Sequence, residues 1–179
     1  MGKMLLLSCC APCSCGVIKK LASEKRAFSV LFYNPNISPQ EEYLKRLKEN
    51  ERLCKYYGVE FFHLVYEPQV WQEAVKGYEN EPERGERCYR CFLLRLRRAA
   101  AFAKANGFES FSSVLGISRH KDMAQVNRAG LLAAELENIP YDTCNWRKGG
   151  LEELRRTVNK ELNLYNQDYC GCQYSKRNR

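Results

Sequence analysis

No apolar run in this sequence is long enough to cross a membrane, and no glycine-, serine- or proline-rich stretch divides it. The apolar N-terminal run, Met4-Leu5-Leu6-Leu7, is far shorter than an export-signal core and passes at once into Ser8-Cys9-Cys10. Internal repeats and low-complexity segments are missing, which argues against a solenoid or a disordered array. Histidine is scarce, with only His63 and His120. These absences lead us to expect one compact domain over residues 1–179, without membrane contact and kept in the reducing cytoplasm.

Cysteine, by contrast, is abundant, with ten residues. In a reducing compartment, clustered cysteines serve as metal ligands or catalytic thiols more readily than as disulfides. Positive charge is also in excess: 29 Lys and Arg against 21 Asp and Glu give +8. Together with eleven tyrosines able to stack on bases, that balance suits a polyanionic partner such as RNA. The basic clusters Arg95-Leu96-Arg97-Arg98, Arg155-Arg156 and Lys176-Arg177 could neutralise phosphates, or could be solvated helix faces and a terminal tail.

Short apolar runs bounded by turn formers predict strands at Lys3 to Ser8, Phe28 to Tyr33, Glu60 to Val65 and Ser110 to Val114, with a short fifth near Tyr141. Helices are predicted from Ser14 to Lys25, from Ser38 to Tyr57, from Pro68 to Lys76, from Cys88 to Asn106 and from Asp122 to Asn138. For the second of these, Ser38, Pro39 and Glu41 read as a capping box. Alternating strands and helices predict a three-layer α/β fold of Rossmann-like type, a parallel sheet covered on both faces. Ligands of such sheets bind beyond the carboxyl ends of the strands. Cys9-Cys10-Ala11-Pro12-Cys13, Asn34-Pro35-Asn36 and Gly116 to Asp122 should all gather there.

The cysteines fall into three close groups: Cys9, Cys10 and Cys13; Cys88 and Cys91; and Cys170 and Cys172. The first lies at a strand-to-helix turn, where free N–H groups and the helix dipole favour a thiolate. In the second, a three-residue spacing puts both sulfurs on one face of a helix. In the third, Gly171 lets the backbone approach a metal closely. Three such groups point to a metal. One tetrahedral zinc site would leave thiols to spare, whereas an iron-sulfur cluster with a further metal would use them. Cys15, Cys54 and Cys144 lack partners and read as packing.

Other residues are open to two readings. His63 belongs to an apolar strand and reads as a core or edge residue, while His120, beside Lys121 and Asp122, either serves an active-site loop or is a plain polar turn. Asp168, just before the last cysteine pair, could ligate iron, donate a proton or cap a turn. Tyr33, Asn34 and Asn36, like Lys121, are candidates to contact a ligand, and the Asn-Pro-Asn turn is the plainer explanation of the first three.

Taken together, Cys9-Cys10-Ala11-Pro12-Cys13-Ser14, Phe32-Tyr33-Asn34-Pro35-Asn36-Ile37, Glu81-Pro82-Glu83-Arg84-Gly85 with Arg87-Cys88-Tyr89-Arg90-Cys91, and Gln167-Asp168-Tyr169-Cys170-Gly171-Cys172-Gln173-Tyr174-Ser175 resemble the QueH-type epoxyqueuosine reductases. The similarity runs nearly end to end, although that family commonly has proline where this chain has Arg119. The resemblance implies reduction of epoxyqueuosine to queuosine at the wobble base of tRNA, an external electron donor, a 4Fe-4S cluster and an additional iron. It makes Cys9, Cys10, Cys88, Cys91, Cys170 and Cys172 the candidate ligands, with Asp168 a possible non-cysteine ligand. Asp168, His120 and Cys13 become the candidate catalytic residues. A related architecture, that of the ATP-pyrophosphatases, suggests a tRNA sulfur-transfer enzyme as the alternative, but such enzymes carry a glycine-rich phosphate loop where this chain has Cys-Cys-Ala-Pro-Cys. A zinc-stabilised RNA-binding module is the non-catalytic alternative. The fold expected is thus a three-layer Rossmann-like α/β sheet with a helical and cysteine-rich C-terminal segment.

Overall fold

A computed structural model of the chain describes residues 2–176. Four strands, β1 (Met4–Ser8), β2 (Phe28–Phe32), β3 (Phe61–His63) and β4 (Ser110–Ser113), form a parallel sheet in the order β3-β2-β1-β4. β1 and β2 are buried along their whole length, as apolar runs covered on both faces must be. An isolated parallel bridge from Phe111 to Tyr141 stands where the short fifth strand was expected. β3 lies at the opposite edge, and His63 there is exposed.

The helices are α1 (Ala11–Ser23), α2 (Gln40–Tyr56), α3 (Pro68–Ala74), α4 (Glu86–Ala105), α5 (Met123–Glu137) and α6 (Leu151–Glu161). α1 packs with α2 and α6, and α4 with α3 and α5. Right-handed crossovers carry α1 and α2 to one face on the way out to β3 and bring α4 back across the other before β4. The sheet order therefore reverses direction at β1, and the crevice between β1 and β4 is the switch point where ligands of such folds bind.

Three departures from the sequence expectations bear on the site. First, α1 and α4 begin earlier than predicted, so Cys13 lies inside α1, Cys10 stands at its N-cap, and Cys88 and Cys91 sit in the opening turns of α4. Second, Ser38 caps nothing. α2 begins at Gln40 with no side-chain cap, and the Ser38 backbone instead pairs with the C-terminal segment: its N–H donates to Gly171 O at 2.9 Å and its carbonyl accepts from the Tyr169 hydroxyl. Third, the helix expected in the C-terminal segment is α6, which ends well before the cysteine pair. Leu151, Leu154 and Val158 recur at helical spacing, and Gly16 lets α6 approach α1, since a Cβ there would stand 3.0 Å from Leu151 O and from Arg155 N. α5 is capped by Asp122, whose carboxylate accepts from the Ala124 and Gln125 N–H groups.

Candidate metal centre

The loops that leave β1, β2 and β4 meet the start of α4 and the C-terminal segment around a cavity of about 210 Å³. All seven cysteines of the three groups line it, from Cys9, Cys10 and Cys13 through Cys88 and Cys91 to Cys170 and Cys172. Cys15, Cys54 and Cys144 do not. Their thiols are instead pushed up by burial, to about 11 for Cys15 and about 12 for the other two, and so stay neutral. Exchanging Cys54 for serine is accordingly expected to leave the cavity intact while costing roughly 1–3 kcal/mol for a buried hydroxyl, read by thermal unfolding.

The first group is compact. Cys9 Sγ and Cys10 Sγ are 3.8 Å apart, and the sulfurs of Cys9, Cys10 and Cys13 all lie within 4.8 Å of one another. Hydrogen bonds with Cys10 and then Cys13, helped by the charges of Lys121 and Arg95, hold Cys9 well below the usual thiol range despite its burial. Cys10 is pulled down by its hydrogen bond with Cys13, but the bond with Cys9 and its burial outweigh this and push it up to about 12. Cys13 is raised by its bonds to Cys10 and Cys9 and by burial. Of the three, Cys9 is the one whose surroundings most favour the charged form. Lys121 Nζ stands 3.9 Å from Cys9 Sγ, and Gln167 Nε2 donates to Cys10 Sγ at 2.7 Å.

Cys88 accepts from the Arg84 N–H at 3.3 Å, although burial pushes its thiol up to about 12. Cys91 is buried and packs with Cys172 against Trp71 and Val75. The third group is held by Arg46, a side chain only 2% exposed. Its Nε pairs with Glu42 at 2.7 Å, Nη1 donates to Cys170 O at 3.0 Å and Nη2 to Tyr169 O at 3.2 Å. Burial alone would lower the Arg46 pKa, but Cys10 and Glu42 raise it, so the charge is retained. Gly171 has φ +123°, and a Cβ there would stand 3.0 Å from Ile37 Cγ1 and 3.1 Å from Arg46 Nη1. Only glycine fits this turn.

The other expected site residues divide. Asp168, His120, Lys121 and Asn36 line the cavity. Asn36 Oδ1 and Gln167 Oε1 are buried acceptors with no hydrogen-bond donor among the described residues. Tyr33 and Asn34, expected as ligand contacts, lie outside the lining. Asn34 donates to Ser8 O at 2.9 Å and accepts from Arg95 Nη2, and Arg95 Nε reaches Tyr33 O at 3.4 Å, so the pair ties the ends of β1 and β2 to α4. Arg95 is 1% exposed and braces the interior instead of meeting phosphate. Arg97 and Arg155 are paired with Glu137 and Glu152, and Arg177 lies outside the described residues. Sequence reasoning missed Arg46 and Trp71 and gave Gln167 only as part of the C-terminal motif; an arginine among the many charged residues of α2 gave no sign of burial.

A profile of the epoxyqueuosine reductase QueH family matches residues 4–178. The chain belongs to the QueH family of epoxyqueuosine reductases. Within it, the chain is 47% identical over 177 residues to the QueH of Histophilus somni, covering 98% of this chain and 73% of that one. The QueH of Acinetobacter baylyi is 47% identical, with 98% and 81% covered, and that of Thermotoga maritima 34%, with 98% and 91% covered. Among solved structures, the chain is similar to the U34-tRNA thiolase NcsA from Methanococcus maripaludis with its [4Fe-4S] cluster. The TM-score there is 0.61 at 12% identity, over 97% of this chain and 61% of that chain, a likeness of fold. Among the described residues, no helix is long and apolar enough to cross a membrane.

Proposed function

We propose that this chain reduces epoxyqueuosine to queuosine at the wobble base of tRNA, working in the cytoplasm as one domain over residues 1–179 with an external electron donor. The observation that carries this reading is the convergence of seven cysteines from three distant segments on one cavity at the sheet's switch point. The donor set suits iron. Two thiolates on one tetrahedral ion with bonds of about 2.3 Å stand about 3.8 Å apart, which matches the separation of Cys9 and Cys10 and makes their group a fit for a single iron. Cys88, Cys91, Cys170 and Cys172 supply the four thiolates that a 4Fe-4S cluster takes. Asp168, in the same wall, can replace one of them as a ligand or act as an acid.

Opening the epoxide to the alkene consumes two electrons and two protons and releases the oxygen as water. When bound, the iron supplies the electron path and a Lewis acid for that oxygen. The residues around it hold substrate and move protons. Burial works against the charge on Lys121, but the attraction of Cys9 and Cys170 outweighs it and raises the pKa, so the ammonium persists to hold negative charge developing on oxygen. His120 and Asp168 stand in the same wall as proton donors. The open acceptors on Asn36 and Gln167 can take hydroxyl donors of the modified base.

Anaerobic purification with iron and sulfide analysis, joined to turnover of epoxyqueuosine-containing tRNA, tests this. Brown protein with roughly four or five iron atoms, falling to zero activity on chelation, is expected. Colourless, zinc-loaded protein without turnover would overturn it.

A further inference from the structure

The loop from Gly116 to Lys121 brings His120 and Lys121 to the cavity, yet it is exposed at Arg119 and His120 and lies beyond the last sheet pairing of β4. Two arginines from distant segments seize its backbone. Arg147, which does not line the cavity, donates from Nε to Gly116 O at 2.7 Å and from Nη2 to Ser118 O at 2.6 Å and Lys121 O at 2.8 Å. From the other side Arg84 donates from Nη2 to Arg119 O at 2.8 Å and from Nε to His120 O at 3.2 Å. Five of the loop's six carbonyls are therefore taken up by two guanidinium groups. A planar fork with several fixed donors can do this, whereas an ammonium point charge cannot reproduce it.

We infer that Arg147 is a positioning residue, which with Arg84 straps this loop so that Lys121 is held against Cys9 and the reacting oxygen. The inference rests on the reductase reading for what Lys121 does there, but the strap itself is a matter of backbone geometry. Arg147 is held by its own turn, its N–H donating to Asn145 Oδ1 at 3.0 Å, so its fork is set before substrate arrives. Gln125 Nε2 donates to Arg84 O at 2.9 Å and to Gly85 O at 3.2 Å, which steadies the opposite strap. Misplacement of a catalytic group by about 1 Å can cost 10²-fold in rate, so two straps with five bonds have a measurable consequence.

The test uses the full-length, iron-loaded protein. Arg147→Met should lower kcat on epoxyqueuosine-containing tRNA by about tenfold or more, leave KM and iron content within about twofold, and speed amide hydrogen exchange in residues 116–122 selectively. Arg147→Lys should recover less than about a third of the lost rate, because charge without the fork is insufficient. In a Lys121→Met background, Arg147→Met should add less than about twofold, the signature of acting through Lys121. Multiplying losses, full rate in Arg147→Met, unchanged exchange at residues 116–122, or a fall in iron content would each overturn the strap. Iron-loaded wild-type protein with no turnover would defeat the reductase reading, while the exchange measurement would still judge the strap by itself.

Discussion

Replacing Cys91 by serine is expected to abolish turnover and to remove most of the iron, while the protein stays folded. Cys91 sits in the opening turns of α4 together with Cys88, and both line the cavity, whereas the core that builds the sheet is formed by β1, β2 and the facing sides of α1 and α4. A serine oxygen is a harder, far less acidic donor than a thiolate and holds iron-sulfur clusters poorly. Within a buried patch that includes Trp71 and Cys172, the hydroxyl costs roughly 1–3 kcal/mol, an amount a chain of this size can carry. The measurement is iron and sulfide per chain, visible absorbance and single-turnover conversion of the modified tRNA, set beside Cys54→Ser. Normal iron in Cys91→Ser, or equal losses in both variants, would remove Cys91 from the ligand set.

Gly171→Ala is the second large effect. Two penalties act together there: φ of +123° belongs to a region that side chains avoid, at roughly 1–3 kcal/mol, and the new methyl would press on Ile37 and on the Arg46 guanidinium. Neither neighbour can give way easily, since Arg46 is tied to Glu42, Cys170 and Tyr169 and Ile37 is 1% exposed. The segment must therefore shift, and Cys170 and Cys172 shift with it. A tenfold or greater fall in activity with partial loss of iron is expected, with the thermal midpoint lowered by about 2–4 °C for each kcal/mol lost. An unchanged midpoint and full iron occupancy would show that the turn tolerates a side chain.

The fold was legible wherever one short rule decided an element. β1 and β2 are short apolar runs buried on both faces, and Asp122 is an N-cap with its hydrogen bonds in place. The cysteine groups were legible because sulfur in close pairs has few uses in a reducing compartment, and their meeting place followed from the rule for open parallel sheets. Arg46 and Arg95 were hidden because arginine is ordinarily exposed, and only the folded chain shows the carbonyls and carboxylates that make their burial tolerable. Ser38 illustrates the converse: its local pattern is a sound helix start, but a long-range partner, the turn at Gly171, takes up its N–H instead. Tyr33 and Asn34 stand at the correct end of the sheet, yet the bracing arginine takes up the Tyr33 carbonyl and the Asn34 side chain, a choice of partner that a turn motif does not encode.

The three ligand groups are separated along the chain by most of its length, and the last of them is docked by the buried Arg46 guanidinium on α2 together with the Ser38 backbone. Until α2, α4 and the C-terminal segment have met, the seven thiols do not line one cavity. Tight metal capture thereby reports that folding is finished. Ligand groups this far apart in sequence tie metal affinity to the completed fold, so unfolding and metal release are expected to coincide.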